Sequence, residues 1–448
     1  MINENKKIEL AQWLLDPDGQ KALPKNLSLL EHRLKEEGLF EIYQDIELPL
    51  APILDEMREI GVKVDLGYLE KLGKELGKEL DGLVKEIYKL AGGEFNINSP
   101  KQLSGVLFAK LEIGSEGILK RKTGAFATDV ETLTVLKDRH PIIKPILSYR
   151  EIFKVKSTYV DPLRELADKN GRVHTTYVQT GTATGRLSSR DPNLQNIPIV
   201  GELGKKIRRA FAAGKGYSLA AFDYSQIELR VLATVSNDPT MIQAFKDDLD
   251  IHKLTASKVY NAPLEKVTSE MRSAAKTLNF GVSYGMGPQA FAKTSGLNVA
   301  DAKKFIDEYY SDFAAVKKWQ QDTIAAARKN GHVANLNGRK RWLPNINWPG
   351  RRYAAEAERA AINMPIQGLA ADIIKIAMIR VAATLKKKKW SGEEARMLLT
   401  IHDELIFEIK DDILKEATPL IRSEMENAYK LAVPLRVDSA VGDNWAVI

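Results

Sequence analysis

Two aspartates in this sequence lie where apolar segments end, and their chemistry suits metal binding. Asp223 follows the apolar run 217–222, and Asp403 lies between the apolar runs 397–401 and 405–409. Such runs are typical of buried strands, so one shared sheet could bring the two carboxylates together. Carboxylates that crowd one another repel unless a cation lies between them, and a pair of Mg²⁺ ions held this way could serve an in-line phosphoryl displacement. On spacing alone, the alternative is two unrelated aspartates at a strand end and a turn.

A second group of residues could bind a triphosphate and a base. Its members recur at steps of four in a predicted helix: Arg272, Lys276, Phe280 and Tyr284. Each step advances about 40° beyond a full turn, so the four form a slowly winding stripe that is cationic at one end and aromatic at the other. Cations suit phosphate oxygens and aromatic rings suit a base. The alternative is a surface helix with two solvated cations and two core aromatics.

A third group consists of hydrogen-bonding side chains in polar segments or at helix starts. The minor groove of a duplex presents similarly placed acceptors whichever base pair is present, so Arg, Gln and Asn there could contact a duplex without reading its sequence. The alternative is that these side chains cap the backbone in loops. The residues are Arg186, Asn193, Gln195, Asn196, Asn363 and Gln367.

The elements that must position these residues are helical blocks separated by short strands. From 48 to 90, leucines recur at helical spacing on one face, which predicts an amphipathic helix. The sequence alternates in a strand-like manner after 171 and is helical again over 354–383. Residues 1–45 form short charged helical segments that we expect to be too small to hold a core of their own.

Composition narrows the class of protein. The 448 residues are 44% hydrophobic and 28% charged, which is ordinary for a globular protein and excludes a fibrous one. The absence of Cys excludes disulfides, thiolate metal sites and Cys nucleophiles. No apolar run approaches the ~18 residues that span a bilayer, and no signal peptide is evident, so we expect a cytoplasmic protein with no membrane partner. The net charge of +7 permits a polyanionic partner.

Taken in order along the chain, these segments resemble family A DNA polymerases, the DNA polymerase I type, from about residue 42 to residue 448. The three polymerase motifs appear at 223–230 (DYSQIELR), 272–285 (RSAAKTLNFGVSYG) and 402–404 (HDE). Four flanking signatures agree: 156–163 (KSTYVDPL), 184–198 (TGRLSSRDPNLQNIP), 250–252 (DIH) and 358–368 (ERAAINMPIQG). Any one of them is weak, but their common order leaves little room for the separate alternatives above.

The resemblance implies roles for individual residues. Two Mg²⁺ ions, with Mn²⁺ as a substitute, would be held by Asp223, Asp403 and the backbone carbonyl of Tyr224. Glu404 would be a supporting carboxylate, and Lys276 would join these acids as a catalytic residue. The implied nucleotide contacts are Gln226, Glu228, His252, Arg272, Lys276, Phe280 and Tyr284. The implied primer–template contacts are Lys156, Arg186, Asn193, Asn196, Asn363, Gln367 and His402.

Three of the nucleotide contacts have more specific implied roles. Glu228 resembles the gate that packs against the sugar and refuses a 2′-hydroxyl. Phe280 resembles the position that favours a 3′-hydroxyl on the incoming sugar. Tyr284 resembles the residue that holds the templating position until the fingers close.

The implied fold is α+β, a right hand with an antiparallel palm sheet, helical fingers and a helical thumb. The predicted domains are 1–45, a remnant of an exonuclease-like domain; 46–167, the thumb with a lead-in helix; 168–250, the first part of the palm; 251–365, the fingers; and 366–448, the second part of the palm. The triplet at 45–47 (DIE) is interpreted as part of the lead-in helix rather than a nuclease motif. We therefore expect no proofreading or 5′-nuclease activity, in a piece of a longer protein.

Three functions are weighed. The favoured one is template-directed addition of deoxynucleotides to a primer 3′ end by a monomer that binds primer–template DNA and dNTPs. The second is an RNA polymerase or a dedicated reverse transcriptase, and Glu228 argues against ribonucleotides. The third is a catalytically silent DNA-binding scaffold, against which the presence of Asp223, Asp403, Arg272 and Lys276 argues.

Overall fold

The computed structural model of the chain describes residues 2–116, 118–120, 124–199 and 201–448, and every predicted site residue lies in this part. Residues 2–47 form a helical unit, here called the N-terminal block. Its helices are α1 (Glu4–Leu15), α2 (Leu27–Glu36) and α3 (Phe40–Ile42), followed by a π-helical segment, Tyr43–Glu47. Contrary to expectation, this block has its own buried cluster, because α1 and α2 pack together and bury Leu10, Leu14, Leu30 and Leu34.

The next block is almost wholly helical. Its elements are α4 (Leu48–Ile60), β1 (Val62–Lys63), α5 (Leu66–Ala91), α6 (Pro100–Ser104), α7 (Val130–Val135), α8 (Ile143–Val155) and α9 (Asp161–Leu166), with π-helical segments at Gly105–Lys110 and Lys156–Val160. Asp65 caps α5 by accepting a hydrogen bond from the backbone N–H of Tyr68, and Gly92 ends it in the left-handed conformation. The predicted leucine face of α5 is confirmed, since Leu69 and Leu76 are fully buried and the helix packs on α8.

Short strands and a helix lead into the central strand of the molecule. They are β2 (Arg172–Val173), β3 (Thr176–Val178), β4 (Ser188–Arg190), a 3₁₀ turn at Leu194–Asn196, α10 (Glu202–Arg209) and β5 (Tyr217–Tyr224). A long helical segment follows: α11 (Ile227–Ser236), α12 (Pro239–Lys246), α13 (Ile251–Val259), a 3₁₀ turn at Leu264–Lys266, α14 (Ser269–Ser283), α15 (Pro288–Ser295), α16 (Val299–Asp312) and α17 (Ala314–Asn330).

The remaining elements return the chain to the sheet. They are β6 (His332–Ala334), β7 (Lys340–Trp342), α18 (Arg351–Lys387), β8 (Ala395–Ile401), β9 (Glu404–Lys410), α19 (Leu414–Glu426) and β10 (Val437–Gly442). The 365/366 boundary predicted from the sequence lies within the continuous helix α18. None of the described helices is both long enough and apolar enough to cross a membrane.

The central sheet has four antiparallel strands in the order β10-β5-β9-β8. Alternate residues of β5 enter two different cores: Ala220 and Phe222 pack with α11 and α18, whereas Leu219 and Ala221 pack with the helical block of α5 and α8. Burial on both faces explains why this strand is a continuous apolar run. Asp223 lies two residues beyond Ala221 and therefore faces the same side of the sheet.

Two strand boundaries differ from those expected from the sequence. β5 extends one residue past Asp223, because its pairing with β10 continues to Tyr224. The turn between β8 and β9 contains only His402 and Asp403, since Glu404 already pairs with Asp223 in β9. The two-strand hairpin itself is confirmed.

A buried ion network joins the N-terminal block to the rest of the molecule. Glu47 accepts a hydrogen bond from Arg339, which lies in the turn between β6 and β7. It accepts another, at 2.7 Å, from Lys375 in α18. Arg339 also donates to Asp372 through Nε at 2.8 Å, and all four side chains are at most 3% exposed. Burial alone would raise the pKa of Glu47, but Lys375 and Arg339 hold that pKa below its ordinary value. Each charge in the network therefore depends on the others.

Removal of one member of this network should destabilise the fold strongly. Glu47→Ala leaves Arg339 and Lys375 as incompletely compensated buried cations, so the free energy of unfolding should fall by about 3–5 kcal/mol. Glu41→Ala, at an exposed position of α3, is the matched control and should change it by less than about 0.5 kcal/mol. Urea denaturation of both variants measures this, and equal midpoints for the two would contradict the role of the network.

Candidate active site

The central sheet places acidic side chains beside one another across three strands. Asp223 of β5 lies directly opposite Glu404 of β9 and directly opposite Asp438 of β10. Directly opposed residues of antiparallel strands have their Cβ atoms about 4.5–5.5 Å apart on the same face. Asp403 precedes this row, and its backbone carbonyl accepts a hydrogen bond from the Tyr224 N–H at 3.2 Å. The structure thus brings Asp223 and Asp403 together, although they are far apart in the chain.

The electrostatics of this row favour a bound cation. Burial, followed by the charges of Asp403 and Asp438, raises the pKa of Asp223 to about 6. Burial and the charge of Asp223 raise the pKa of Glu404 to about 7. Burial likewise raises the pKa of Asp403, against the opposing effect of Arg186 and His402. A bound cation would offset the burial that makes all three carboxylates hard to ionise, and also the repulsion that adds to it at Asp223 and Glu404.

The donor set fits an oxygen-binding ion with an open coordination shell. The Oδ1 atom of Asp403 is buried and has no hydrogen-bond partner in the described part of the chain. Among the described residues, no three His, Asp or Glu side chains are grouped closely enough to enclose a metal. Mg²⁺ usually takes one or two carboxylates and completes its shell with water and phosphate oxygens, so Asp223, Asp403 and the Tyr224 carbonyl suit it.

A cavity of about 300 Å³ lies against this acidic row. One wall belongs to α14, where Arg272 and Lys276 form a cationic stripe and Phe280 follows one turn later. Tyr284 ends α14 and does not line the cavity. The residues that line it are Asp223, Tyr224, Ser225, Gln226, Ile227, Glu228, His252, Arg272, Lys276, Phe280, Asp403 and Asp438.

The chain between β5 and α11 lines one side of this cavity. Gln226 has a φ of 55°, which is uncommon for a residue other than Gly, and it directly precedes the helix. The Oε1 atom of Gln226 is buried without a hydrogen-bond partner in the described part of the chain. Strained conformations of this kind occur where a fold must direct particular side chains into a site. Here the turn places Glu228 in the first turn of α11.

Glu228 forms an ion pair with Arg186 and is only 5% exposed. Burial raises the pKa of Glu228 to about 7, the Arg186 charge opposes the shift, and Asp403 adds to it. Arg186 therefore has one acid as its direct partner and a second, Asp403, within electrostatic reach. Arg186 thus interacts both with Glu228, the predicted sugar gate, and with Asp403, a predicted metal ligand.

His252 is held rigidly beside the cationic stripe. Asp250 caps α13 by accepting hydrogen bonds from the backbone N–H groups of His252 and Lys253, and its Oδ2 accepts from Arg272 Nε at 2.6 Å. The His252 ring is buried and pairs through Nδ1 with the side-chain amide of Asn279 at 2.9 Å. His252 also lines the 300 Å³ cavity.

A second, smaller cavity of about 50 Å³ adjoins Arg186 and His402. Gln195, Thr400 and the buried Lys375 also line it, so three of its lining side chains carry or can carry positive charge. His402 occupies the hairpin turn with a φ of 53°. Arg186 and His402, both predicted primer–template contacts, are therefore neighbours in space.

The other predicted primer–template contacts do not line either cavity. Asn363 and Gln367 lie one turn apart on α18, and Asn363 Oδ1 is buried without a hydrogen-bond partner in the described residues. Asn193 uses its side chain to cap the 3₁₀ turn at Leu194–Asn196, in agreement with the capping alternative, and Asn196 is exposed. Lys156 forms a 2.7 Å ion pair with Asp161 in the helical block. The roles of these five residues stay predictions.

Sequence reasoning did not anticipate two residues of the site. Asp438 lies opposite Asp223 but comes from the last strand, and no local pattern links the two. Lys375 is a lone cation within the apolar run of α18, and such a residue is usually buried with an acidic partner. That signal could have predicted the burial of Lys375 but not its partner, Glu47.

Comparison with known proteins decides the family. The family model described as DNA polymerase family A matches residues 66–447. This chain belongs to DNA polymerase family A. It is 44% identical over 437 residues to "DNA polymerase I, thermostable" of Thermus caldophilus, which covers 97% of this chain and 52% of the relative. It is 45% identical over 418 residues to DNA polymerase I of Bacillus subtilis, which covers 93% and 47% respectively.

The fold has a close counterpart among solved structures. The POL domain of Pol1 from M. smegmatis, in complex with DNA primer-template and dNTP, matches with a TM-score of 0.92 and 37% identity, over 98% of this chain and 82% of that one. The predicted α+β right-hand polymerase fold is therefore confirmed. The chain spans about half the length of the curated relatives it matches.

The protonation state of His252 can be measured directly. Burial, together with Arg272 and Lys276, lowers the pKa of His252 to about 4 despite the opposing charge of Asp250. The unfolded chain, with an ordinary His pKa near 6.5, binds the proton first as the pH falls. The contribution of His252 to stability should therefore be complete above about pH 6.5 and should be lost progressively as the pH falls toward 4.

Imidazole resonances followed by NMR from pH 7 to pH 4 test this prediction. The signal absent from a His252→Gln variant identifies the ring, which should remain neutral at pH 5. A midpoint at or above pH 6 would contradict the buried, neutral state.

Proposed function

We propose that this chain is a template-directed DNA polymerase that adds deoxynucleotides to a primer 3′ end. One observation carries the proposal: a single cavity combines Asp223 of the acidic row and the neighbouring Asp403 with the cationic stripe of Arg272 and Lys276. An anionic triphosphate would be attracted by the stripe while its reacting phosphate lies near the acidic row. Membership in family A supports this choice over a catalytically silent scaffold.

The proposed partners are primer–template DNA and dNTPs, and the proposed form is a monomer. The counterpart from M. smegmatis was solved with both DNA and dNTP, which supports the same partners for this chain. Phosphate contacts dominate DNA affinity and release counterions, so binding should weaken steeply with salt.

The proposed chemistry is an in-line displacement at the α-phosphate. Asp223, Asp403 and the Tyr224 carbonyl would hold two Mg²⁺ ions, for which Mn²⁺ could substitute. When bound, such ions lower the pKa of an attacking hydroxyl and stabilise charge on phosphoryl oxygens. The chain itself would fix the triphosphate through Arg272, Lys276 and His252, so that the α-phosphate faces the 3′-hydroxyl. Pyrophosphate would be the leaving group.

The walls of the cavity would select the sugar and the base. Phe280 offers an aromatic face beside the stripe, near His252, with the ring centroids 5.7 Å apart. Glu228, fixed by Arg186, would occupy the space that a ribose 2′-hydroxyl requires. Gln226 lines the cavity, Glu404 lies opposite Asp223, and Tyr284 lies outside the cavity lining; the proposed roles of all three rest on the family resemblance.

Primer extension with Mg²⁺ tests the assignment of the metal site. Asp223→Asn keeps the shape of the side chain but removes its charge, so the extension rate should fall on the order of 10³-fold, as for the loss of a principal electrostatic stabiliser. Asp307→Asn, at an exposed position of α16, is the matched control and should extend at the wild-type rate. An Asp223→Asn protein with near wild-type extension would contradict the proposal.

Sugar selection tests the role of Glu228. Glu228→Ala removes the bulk beside the sugar, so the preference for dNTP over rNTP, as a ratio of kcat/KM values, should fall about 10- to 100-fold. Glu228→Gln keeps the bulk and should keep most of the preference. Equal preference in wild type and Glu228→Ala would contradict a gate based on size, and equal use of dNTP and rNTP by the wild type would favour an RNA polymerase.

A further inference from the structure

The N-terminal block holds a loop that ends at the active site. We call residues 179–186 the Arg186 loop. Trp13 of α1 donates its indole Nε1–H to the Thr182 carbonyl at 3.1 Å, and Glu9 of the same helix accepts from the Thr180 hydroxyl at 2.9 Å. A helix remote in sequence therefore makes two hydrogen bonds to this loop.

The Trp13 ring is itself fixed by the buried ion network. Arg339 and Lys375 each lie 5.2 Å from the ring centroid, which is within the range of cation–π contacts. Trp13 is 6% exposed, and both cations are held by Glu47. The indole N–H consequently has one fixed direction, toward the Thr182 carbonyl.

The Arg186 loop has little freedom to move on its own. The Thr182 hydroxyl donates to the Arg186 carbonyl at 2.9 Å. Gly185 has a φ of +90°, and a Cβ at this position would lie 2.8 Å from Arg339 Nε. A Cβ on Gly368 of α18 would lie 3.2 Å from the Thr184 carbonyl oxygen. The loop is thus packed against both Arg339 and α18.

We propose that Trp13 is a positioning residue for Arg186. Through the Thr182 carbonyl it fixes the loop that directs the Arg186 guanidinium to Glu228, beside Asp403 and the second cavity. The inference rests on the proposed function, because the consequence of a misplaced Arg186 is weaker engagement of primer–template. It gives the N-terminal block a part in the active site rather than in stability alone.

Trp13→Phe tests this role because it keeps an aromatic ring but removes the indole donor. The KM for primer–template should rise about fivefold to tenfold, the scale of one hydrogen bond, while kcat with saturating DNA stays within about twofold. Trp342→Phe is the matched control: Trp342 donates to the Leu15 carbonyl at 3.1 Å and anchors the same block, but it makes no hydrogen bond to the loop. This variant should keep the wild-type KM.

A double-mutant cycle separates positioning from a general structural effect. If Trp13 acts through Arg186, then Trp13→Phe should raise KM by less than about twofold in an Arg186→Ala background. Additive effects of the two substitutions would overturn the proposal, as would a Trp13→Phe protein with the wild-type KM. An equal rise in KM for Trp342→Phe would also overturn it.

Thr182→Val provides a second variant should Trp13→Phe fail to fold. It preserves Trp13 and its carbonyl partner but removes the hydroxyl that donates to the Arg186 carbonyl. The same increase in KM is expected, and a wild-type KM would overturn the proposal. Failure of the proposed function is distinguishable, because in that case the wild-type protein itself would not extend a primer.

Discussion

Crowding of partly buried carboxylates is the constraint on which the active site depends. The pairing of β5 with β9 and β10 forces Glu404 and Asp438 against Asp223, and the hairpin turn adds Asp403. Directly opposed like charges destabilise a sheet, so this arrangement opposes folding unless a cation or protons compensate. The fold tolerates it because β5 and β9 are otherwise mostly apolar and lie between two cores, whereas β10 is a largely exposed edge strand. Stability is thus supplied on both faces of the sheet, while the acidic row is left for a ligand.

The same topology explains why the cationic stripe meets the acidic row. β5 and β9 are neighbours in the sheet, but the chain between them forms α11 to α17 before it returns through α18. This long insertion starts at the strained Gln226 turn, three residues after Asp223. α13 and α14 pack on each other within it and present His252, Arg272 and Lys276 to the cavity. The acidic side chains therefore lie on the sheet and the cationic ones on helices of the insertion. A polyanion can bind between them.

The sequence predicted those features that have a local signature. The apolar runs before Asp223 and around Asp403 indicate strands, and the four-residue spacing from Arg272 to Phe280 indicates one helix face. Asp438 and the partners of Lys375 have no such signature, because their contacts join segments that are far apart in the chain and no periodicity encodes register between them. The core of the N-terminal block was missed for a related reason: each helix is short and buries few residues, and only the packing of α1 on α2 makes them sufficient.

The main effect of the buried ion network is to fix the relative positions of the segments that it joins, rather than to stabilise the folded state. Burial of Glu47, Arg339, Asp372 and Lys375 carries a desolvation cost that their attraction only partly offsets, and an apolar replacement of equal volume is often as stable. Ion pairs are directional, however, and an apolar cluster is not. Arg339 can satisfy Glu47 and Asp372 together in few arrangements, and in the one observed it also packs against Trp13 and Gly185. The network thereby fixes the N-terminal block, α18 and the Arg186 loop in one register beside the acidic row.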